Sequence, residues 1–222
     1  MKYFSTILTI LGMYFFVYAC AEKPCTDDGC LDFNKKGDDS IVIPEPLEDI
    51  RGSVVKEYSV VPVVATDNKD DFVYSLNQCI THLYKGVPIE KQIPRELIIA
   101  QAALETGWGT SRFANEANNL FGIRTWDKDE KYLLPIPWTE WPGWGVKVFE
   151  TKCDSVAYYI RMINEVFAYQ ELREVRAKII NEGRFPNGLD LAPTLTKYAS
   201  RANYTELVAT LIKYNIRGVY EL

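Results

Sequence analysis

An apolar run with a lone carboxylate near its end constrains this chain more than any other feature. From Pro94 to Ala114 the sequence reads PRELIIAQAALETGWGTSRFA. Proline is tolerated in a first helical turn, and glycine commonly ends a helix. The pattern therefore predicts a helix opened by Pro94 and stopped by Gly107 and Gly109. With Ile98, Ile99, Ala102, Ala103 and Leu104 in it, such a helix belongs in the centre of a domain. A glutamate in apolar surroundings is costly unless it is solvated, paired or neutral. Glu105 sits in the last turn, where its carboxyl is expected to emerge at a cleft edge beside Trp108. Burial raises a carboxyl pKa, and a glutamate held protonated near neutral pH is what general acid catalysis of glycoside cleavage requires. The alternative is a glutamate that caps or bridges within a core.

The rest of the chain sets that helix in context. The 222 residues hold material for one to one and a half domains. A net charge of −5 and a pI near 5.1 argue against a nucleic-acid partner, which would call for a basic face. One histidine, His82, is too few for a His-based metal site or a Ser-His or Cys-His machine, and no metal motif is present. The first residues, MKYFSTILTILGMYFFVYAC, follow the secretory pattern of a lysine, a long apolar run and a small residue before cysteine. Residues 1–19 read as a signal peptide of the bacterial lipoprotein type, with Cys20 as the lipidated new N-terminus. The expected location is the cell envelope, outside the cytoplasm and anchored to a bacterial membrane by lipid. Residues 20–67 read as a polar tether, in which Cys25 and Cys30 lie close enough to pair. Cys79 and Cys153 fall in apolar helical patterns and read as buried small hydrophobes.

From residue 68 to 222 the chain reads as one folded domain. Phe72, Leu76, Cys79, Ile80 and Leu83 recur at helical spacing. After the Pro94 helix, Thr110 or Ser111 can cap a short one. Residues 118–148 carry glycines, prolines and alternating aromatics, which predict turns and a small β-hairpin or irregular lobe. Four helical patterns follow: CDSVAYYIRMIN, AYQELREVRAKII, LDLAPTLTKYA and YTELVATLIKYN. All five tryptophans lie between residues 108 and 144. Such a cluster suits a surface that stacks against the apolar faces of sugar rings, as well as holding a small lobe together.

Two pieces at fixed spacing, ALETGWGTS and NNLFGI, closely resemble the glucosaminidase family of peptidoglycan hydrolases, and FETKCDSVAYYIRMINEVFAYQELR is similar to its Bax-like branch. The resemblance covers roughly residues 68–222. It implies a mainly α, lysozyme-like domain with a small β-lobe over an active-site cleft. It also implies an endo-β-N-acetylglucosaminidase that cleaves the β-1,4 bond between N-acetylglucosamine and N-acetylmuramic acid, with Glu105 as general acid. Glycoside hydrolysis usually runs on two carboxyl groups and no cofactor. Within WTEW, Glu140 matches the family's Thr-Glu-aromatic context for the second acid; Glu130 is next, and Asp127, Asp129 and Glu150 are also available. Tyr159 aligns with a tyrosine that lines the cleft, where its hydroxyl would hold the N-acetyl group or the attacking water. Trp108, Trp126, Trp138 and Trp141 are expected to contact substrate. Asn119 and Phe121 are expected to shape the cleft floor, the Asn119 amide bonding a sugar acetamido group. Tyr198 reads as packing. The expected partner is a peptidoglycan glycan strand, met by a monomer. A glycoprotein glycan is the substrate alternative, and a lytic transglycosylase or a non-catalytic glycan-binding lipoprotein are the functional ones.

Overall fold

The computed structural model describes residues 60–216, together with residues 25–26 and 29–30. The expected signal segment, Cys20 and most of the expected tether lie outside the described residues. Strands β1 (Cys25–Thr26) and β2 (Gly29–Cys30) pair antiparallel with Cys25 opposite Cys30. A bond between those two cysteines would lie outside the described side chains.

The domain is mainly α, as expected. Helix α1 (Lys69–Leu83) starts where the Asn68 side chain accepts from the Asp71 N–H. It buries Phe72, Val73, Leu76, Cys79 and Ile80. Helix α2 (Arg95–Thr106) follows Pro94 and is buried from Leu97 to Ala103 without a break. It runs through the middle of the domain, in contact with α1, α6 (Gly188–Leu191) and α7 (Tyr204–Leu211). Ser111 caps the short α3 (Arg112–Glu116). Helix α4 (Lys152–Glu165) opens with a reciprocal capping box between Thr151 and Asp154, which satisfies two N–H groups that a helix start otherwise strands. It packs along α1 and leads to α5 (Gln170–Asn181).

Three expectations need correction. Cys79 and Cys153 are buried as read from sequence, but they form a disulfide between α1 and α4, with Cα atoms 5.8 Å apart. Apolar periodicity placed each on a core face; it carries no information on which core residues meet. The pattern LDLAPTLTKYA is not one helix. It forms the single-turn α6, then a 3-10 turn over Ala192–Thr194, and the helix does not resume until Tyr204. Pro193 lacks the N–H needed to continue an α-helical ladder. Part of the stretch assigned to the tether also belongs with the domain: Val64 is buried, the Ala65 N–H donates to Ser75 Oγ at 2.8 Å, and Thr66 packs behind Gly109.

Between α3 and α4 lies the small lobe. Its sheet is three-stranded and antiparallel in the order β3-β5-β4, from β3 (Arg124–Thr125), β4 (Tyr132–Leu133) and β5 (Gly145–Lys147). Arg124 pairs with Val146 and Tyr132 with Lys147. Strands this short cannot hold a lobe alone. It is tied to the helical body by Phe149 N–H to Ala117 carbonyl at 2.8 Å, by Asn118 Nδ2 to the Phe149 and Glu150 carbonyls, and by Arg112 Nη1 to the Leu134 carbonyl.

Candidate active site

Helix α2 ends in an unusual turn. Gly107 takes the left-handed conformation at φ 58° and caps the helix by donating to the Ala103 carbonyl. Trp108 and Gly109 follow, also at positive φ, 65° and 81°. For a bulky residue such as Trp108 that conformation is a true outlier and marks a strained site. Packing holds it there: Phe72 of α1 meets the Trp108 ring edge-on at 6.5 Å, and Lys69 Nζ lies 4.9 Å above it. Gly109 leaves no room for a side chain, since a Cβ would stand 2.6 Å from Thr66 and 2.9 Å from Phe72.

Glu105 sits one turn before this break and is only partly buried. Behind it lies a fully enclosed aromatic wall. Phe121 stacks on Tyr159 at 4.2 Å, Tyr159 meets Tyr198 edge-on at 6.2 Å, and Tyr198 stacks on Tyr204 at 5.3 Å. Each of the four is at most 4% exposed. A polar line threads this wall. The Tyr159 hydroxyl donates to Gln101 Oε1, Gln101 Nε2 donates to the Tyr204 hydroxyl at 2.9 Å, and Tyr204 in turn donates to the Glu105 carboxyl. Burial pushes the Glu105 carboxyl up from its ordinary 4.5 to about 7, against the smaller opposing effect of the Tyr204 bond. The same burial pushes Tyr159 and Tyr204 well above the usual tyrosine range, so both remain proton donors. The arrangement holds a carboxylic acid ready to give up its proton near neutral pH.

The structure places the other sequence candidates less uniformly. Tyr159 is wholly buried and reaches Glu105 only through Gln101 and Tyr204, so it does not line a cleft as expected. Phe121 is buried against it. Asn119 is also wholly buried, and its amide is saturated. Nδ2 donates to the Ile123 and Lys147 carbonyls, and Oδ1 accepts from the Phe121 and Ile123 N–H groups. An amide has two donors and two acceptor sites, so nothing is left for a sugar. Asn119 instead locks the NNLFGI turn to β5. Tyr198 packs as read, its hydroxyl donating to the Phe121 carbonyl at 3.2 Å.

In the lobe, Glu140 is exposed on the β4–β5 loop, four residues after Ile136 and the cis bond to Pro137, and has no ion-pair partner among the described residues. Glu130 is committed to an ion pair with Lys147 at 2.5 Å. Trp126 and Trp138 present 37% and 53% of their surface to solvent. Trp141 leans on Tyr132 at 4.4 Å, and Arg124 covers Trp144 at 3.9 Å. The tryptophans therefore divide between open rings and rings that hold the lobe together.

Sequence reading missed Gln101 and Tyr204. Gln101 left a signal, because it is the polar residue within the apolar run and precedes Glu105 by four positions, which puts both on one helix face. Tyr204 left none, since it opens an otherwise ordinary amphipathic helix.

A helical body with a short antiparallel lobe and a buried acid at the end of its central helix has the architecture of a lysozyme-like domain. The chain belongs to the glucosaminidase family: residues 82–217 match the family described as mannosyl-glycoprotein endo-beta-N-acetylglucosaminidase. It is 34% identical over 89 residues to protein bax of Escherichia coli, a match covering 39% of this chain and 30% of that protein. It is 25% identical over 125 residues to the peptidoglycan hydrolase FlgJ of Salmonella typhimurium, covering 54% of this chain and 39% of that protein. The matches thus span well under half the length of these relatives. Its fold is similar to the catalytic domain of the autolysin Auto from Listeria monocytogenes, with a TM-score of 0.50 at 20% identity over 78% of this chain and 99% of that domain.

Proposed function

We propose that the protein is an endo-β-N-acetylglucosaminidase that hydrolyses the β-1,4 bond between N-acetylglucosamine and N-acetylmuramic acid in peptidoglycan. The observation that carries this reading is the Glu105 carboxyl, raised to about 7 by burial at the end of α2. Glu105 gives its proton to the glycosidic oxygen as the bond to the anomeric carbon breaks and positive charge builds on the sugar. Glu140 serves as the second carboxylate, which activates the attacking water or stabilises that charge. Its exposure and its lack of an ion partner among the described residues support this choice over Glu130, which Lys147 neutralises. The open rings of Trp126 and Trp138, with Trp108 and Trp141, supply flat apolar partners for the sugars. Two carboxyl groups suffice for this chemistry, so no cofactor enters it. Peptidoglycan is preferred to a glycoprotein glycan because FlgJ, one of the relatives, is named a peptidoglycan hydrolase. The Cys79–Cys153 disulfide supports a place in an oxidising compartment, in keeping with a cell-envelope protein anchored through lipid on Cys20.

Digestion of purified peptidoglycan followed by mass spectrometry of the fragments tests the reading. Wild-type protein should release fragments with reducing N-acetylglucosamine ends, and Glu105→Gln should lose roughly a thousandfold in rate. Fragments ending in 1,6-anhydro-muramic acid would make it a lytic transglycosylase instead. Digestion left intact in Glu105→Gln would remove Glu105 from the chemistry.

A further inference from the structure

We infer that Gln101 is a positioning residue: it fixes the direction of the hydrogen-bond line Tyr159–Gln101–Tyr204–Glu105 and so keeps the acid proton of Glu105 on the carboxyl oxygen turned away from Tyr204. The inference rests on the reading of Glu105 as the general acid.

The direction follows from burial. Tyr159 is wholly buried, and Gln101 is its hydrogen-bond partner among the described residues. A buried hydroxyl must donate to something. Tyr159 therefore gives its proton to the amide oxygen, which leaves the Gln101 N–H group facing Tyr204. With its oxygen accepting from Gln101, the Tyr204 hydroxyl points its own proton at Glu105. The carboxyl oxygen on that side is then an acceptor. When Glu105 is protonated, its proton must sit on the other oxygen, where a glycosidic oxygen can take it.

Reversing the amide reverses every step. Gln101 would donate to Tyr159 and strand that buried O–H. Tyr204 would donate to the amide oxygen and offer Glu105 only a lone pair. The acid proton would then be drawn inward, to Tyr204, where no substrate reaches it. Amide orientation is set by the network around it, and here Tyr159 is the group that sets it. The titratable groups facing Glu105 are the two phenols, Tyr204 from α7 and Tyr159 from α4. Burial and the Tyr204 bond account for the behaviour of the carboxyl.

The test is kcat and KM against pH on solubilised peptidoglycan strands, for wild type, Gln101→Met, Tyr159→Phe and Glu105→Gln. Methionine keeps the bulk of Gln101 without its polar atoms. It frees the Tyr204 lone pair, so protonated Glu105 donates inward; the proton is then both more tightly held and misdirected. Gln101→Met should lower kcat by roughly tenfold or more with KM nearly unchanged. It should also move the alkaline limb of the kcat profile to higher pH by about half a unit or more. Tyr159→Phe keeps the stack on Phe121 but releases the amide, and should show the same pattern with smaller size. It decides the matter if Gln101→Met does not fold. A merely structural role would lower kcat and leave the limb in place, and that result in the folded variants overturns the inference. So would an unchanged kcat. Wild-type activity in Glu105→Gln would overturn the underlying reading and this inference with it; an inactive Glu105→Gln beside an unmoved limb would overturn this inference alone.

Discussion

Cutting the Cys79–Cys153 disulfide should remove a large share of the domain's stability. The bond joins residues 74 apart in sequence. Closing a loop of that length in the unfolded chain removes conformational entropy equivalent to about 4 kcal/mol at room temperature on the chain-entropy scale. Domains are usually stable by only about 5–15 kcal/mol. Both cysteines are essentially inaccessible, at 0% and 1% exposure, so a reductant must first unfold the domain to reach them. The comparison is therefore denaturant unfolding of oxidised protein against protein reduced while unfolded and refolded under reductant. A second pair sets wild type against the double variant Cys79→Ala with Cys153→Ala. Reduction isolates the cross-link, whereas the alanines add roughly 1 kcal/mol for each lost buried sulfur. The reduced protein should unfold about 4 kcal/mol more easily, which for a domain of this size lowers the melting temperature by roughly 8–16 °C. If reduced and oxidised proteins unfold within about 1 kcal/mol of one another, the loop argument fails and α1 and α4 are held by packing alone.

Two further outcomes follow from the site. Glu105 binds its proton more tightly folded, at about 7, than unfolded, at 4.5, so its contribution to stability falls as pH rises through that window and stays low above it. Glu105→Gln should therefore unfold at higher denaturant than wild type at pH 8, by up to about 3 kcal/mol, with the gain vanishing toward pH 4; equal stability at pH 8 would mean the carboxyl is not desolvated. Asn119→Ala removes four hydrogen bonds, three of them fully buried, and strands the buried Phe121 and Ile123 N–H groups, and should cost roughly 3–5 kcal/mol in thermal or denaturant unfolding. A substrate-binding role would instead raise KM and leave the melting curve in place.

How much of this was legible in the sequence depends on the kind of signal. The helical body was legible because periodicity and punctuation agree. Asn68, Ser111 and Thr151 cap where a helix must start, and Gly107 takes the left-handed turn where one must end. Glu105 was legible because a carboxylate inside an apolar run is a local anomaly. What failed were the long-range pairings. Asn119 has the chemistry of a sugar-binding amide, and only the arrival of β5, 28 residues later, shows that backbone has already taken it. Tyr159 and Tyr204 lie 45 positions apart and meet through Gln101. The two cysteines read as core because they are core; that they touch is a property of how α1 lies against α4.

The disulfide and the acid belong to one structural problem. A carboxyl raised to about 7 weakens the fold at neutral pH by about 3 kcal/mol at most, and a tryptophan held at φ 65° adds roughly 1–3 kcal/mol. Both strains sit at the end of α2, and α1 and α4 each hold a part of the surroundings. Helix α1 brings Phe72 and Lys69 against Trp108. Helix α4 brings Tyr159 against Phe121 and Gln101. The Trp108 turn keeps its clamp while α1 stays in place, and the Gln101–Tyr204 line behind Glu105 keeps its far anchor while α4 holds Tyr159. The cross-link between α1 and α4 opposes separation of the two helices at a point within the core and stabilises the fold by about the same amount, about 4 kcal/mol. On this argument the disulfide is not general reinforcement of a small domain. It fastens the helix that clamps Trp108 to the helix that anchors the Tyr159 end of the line behind Glu105.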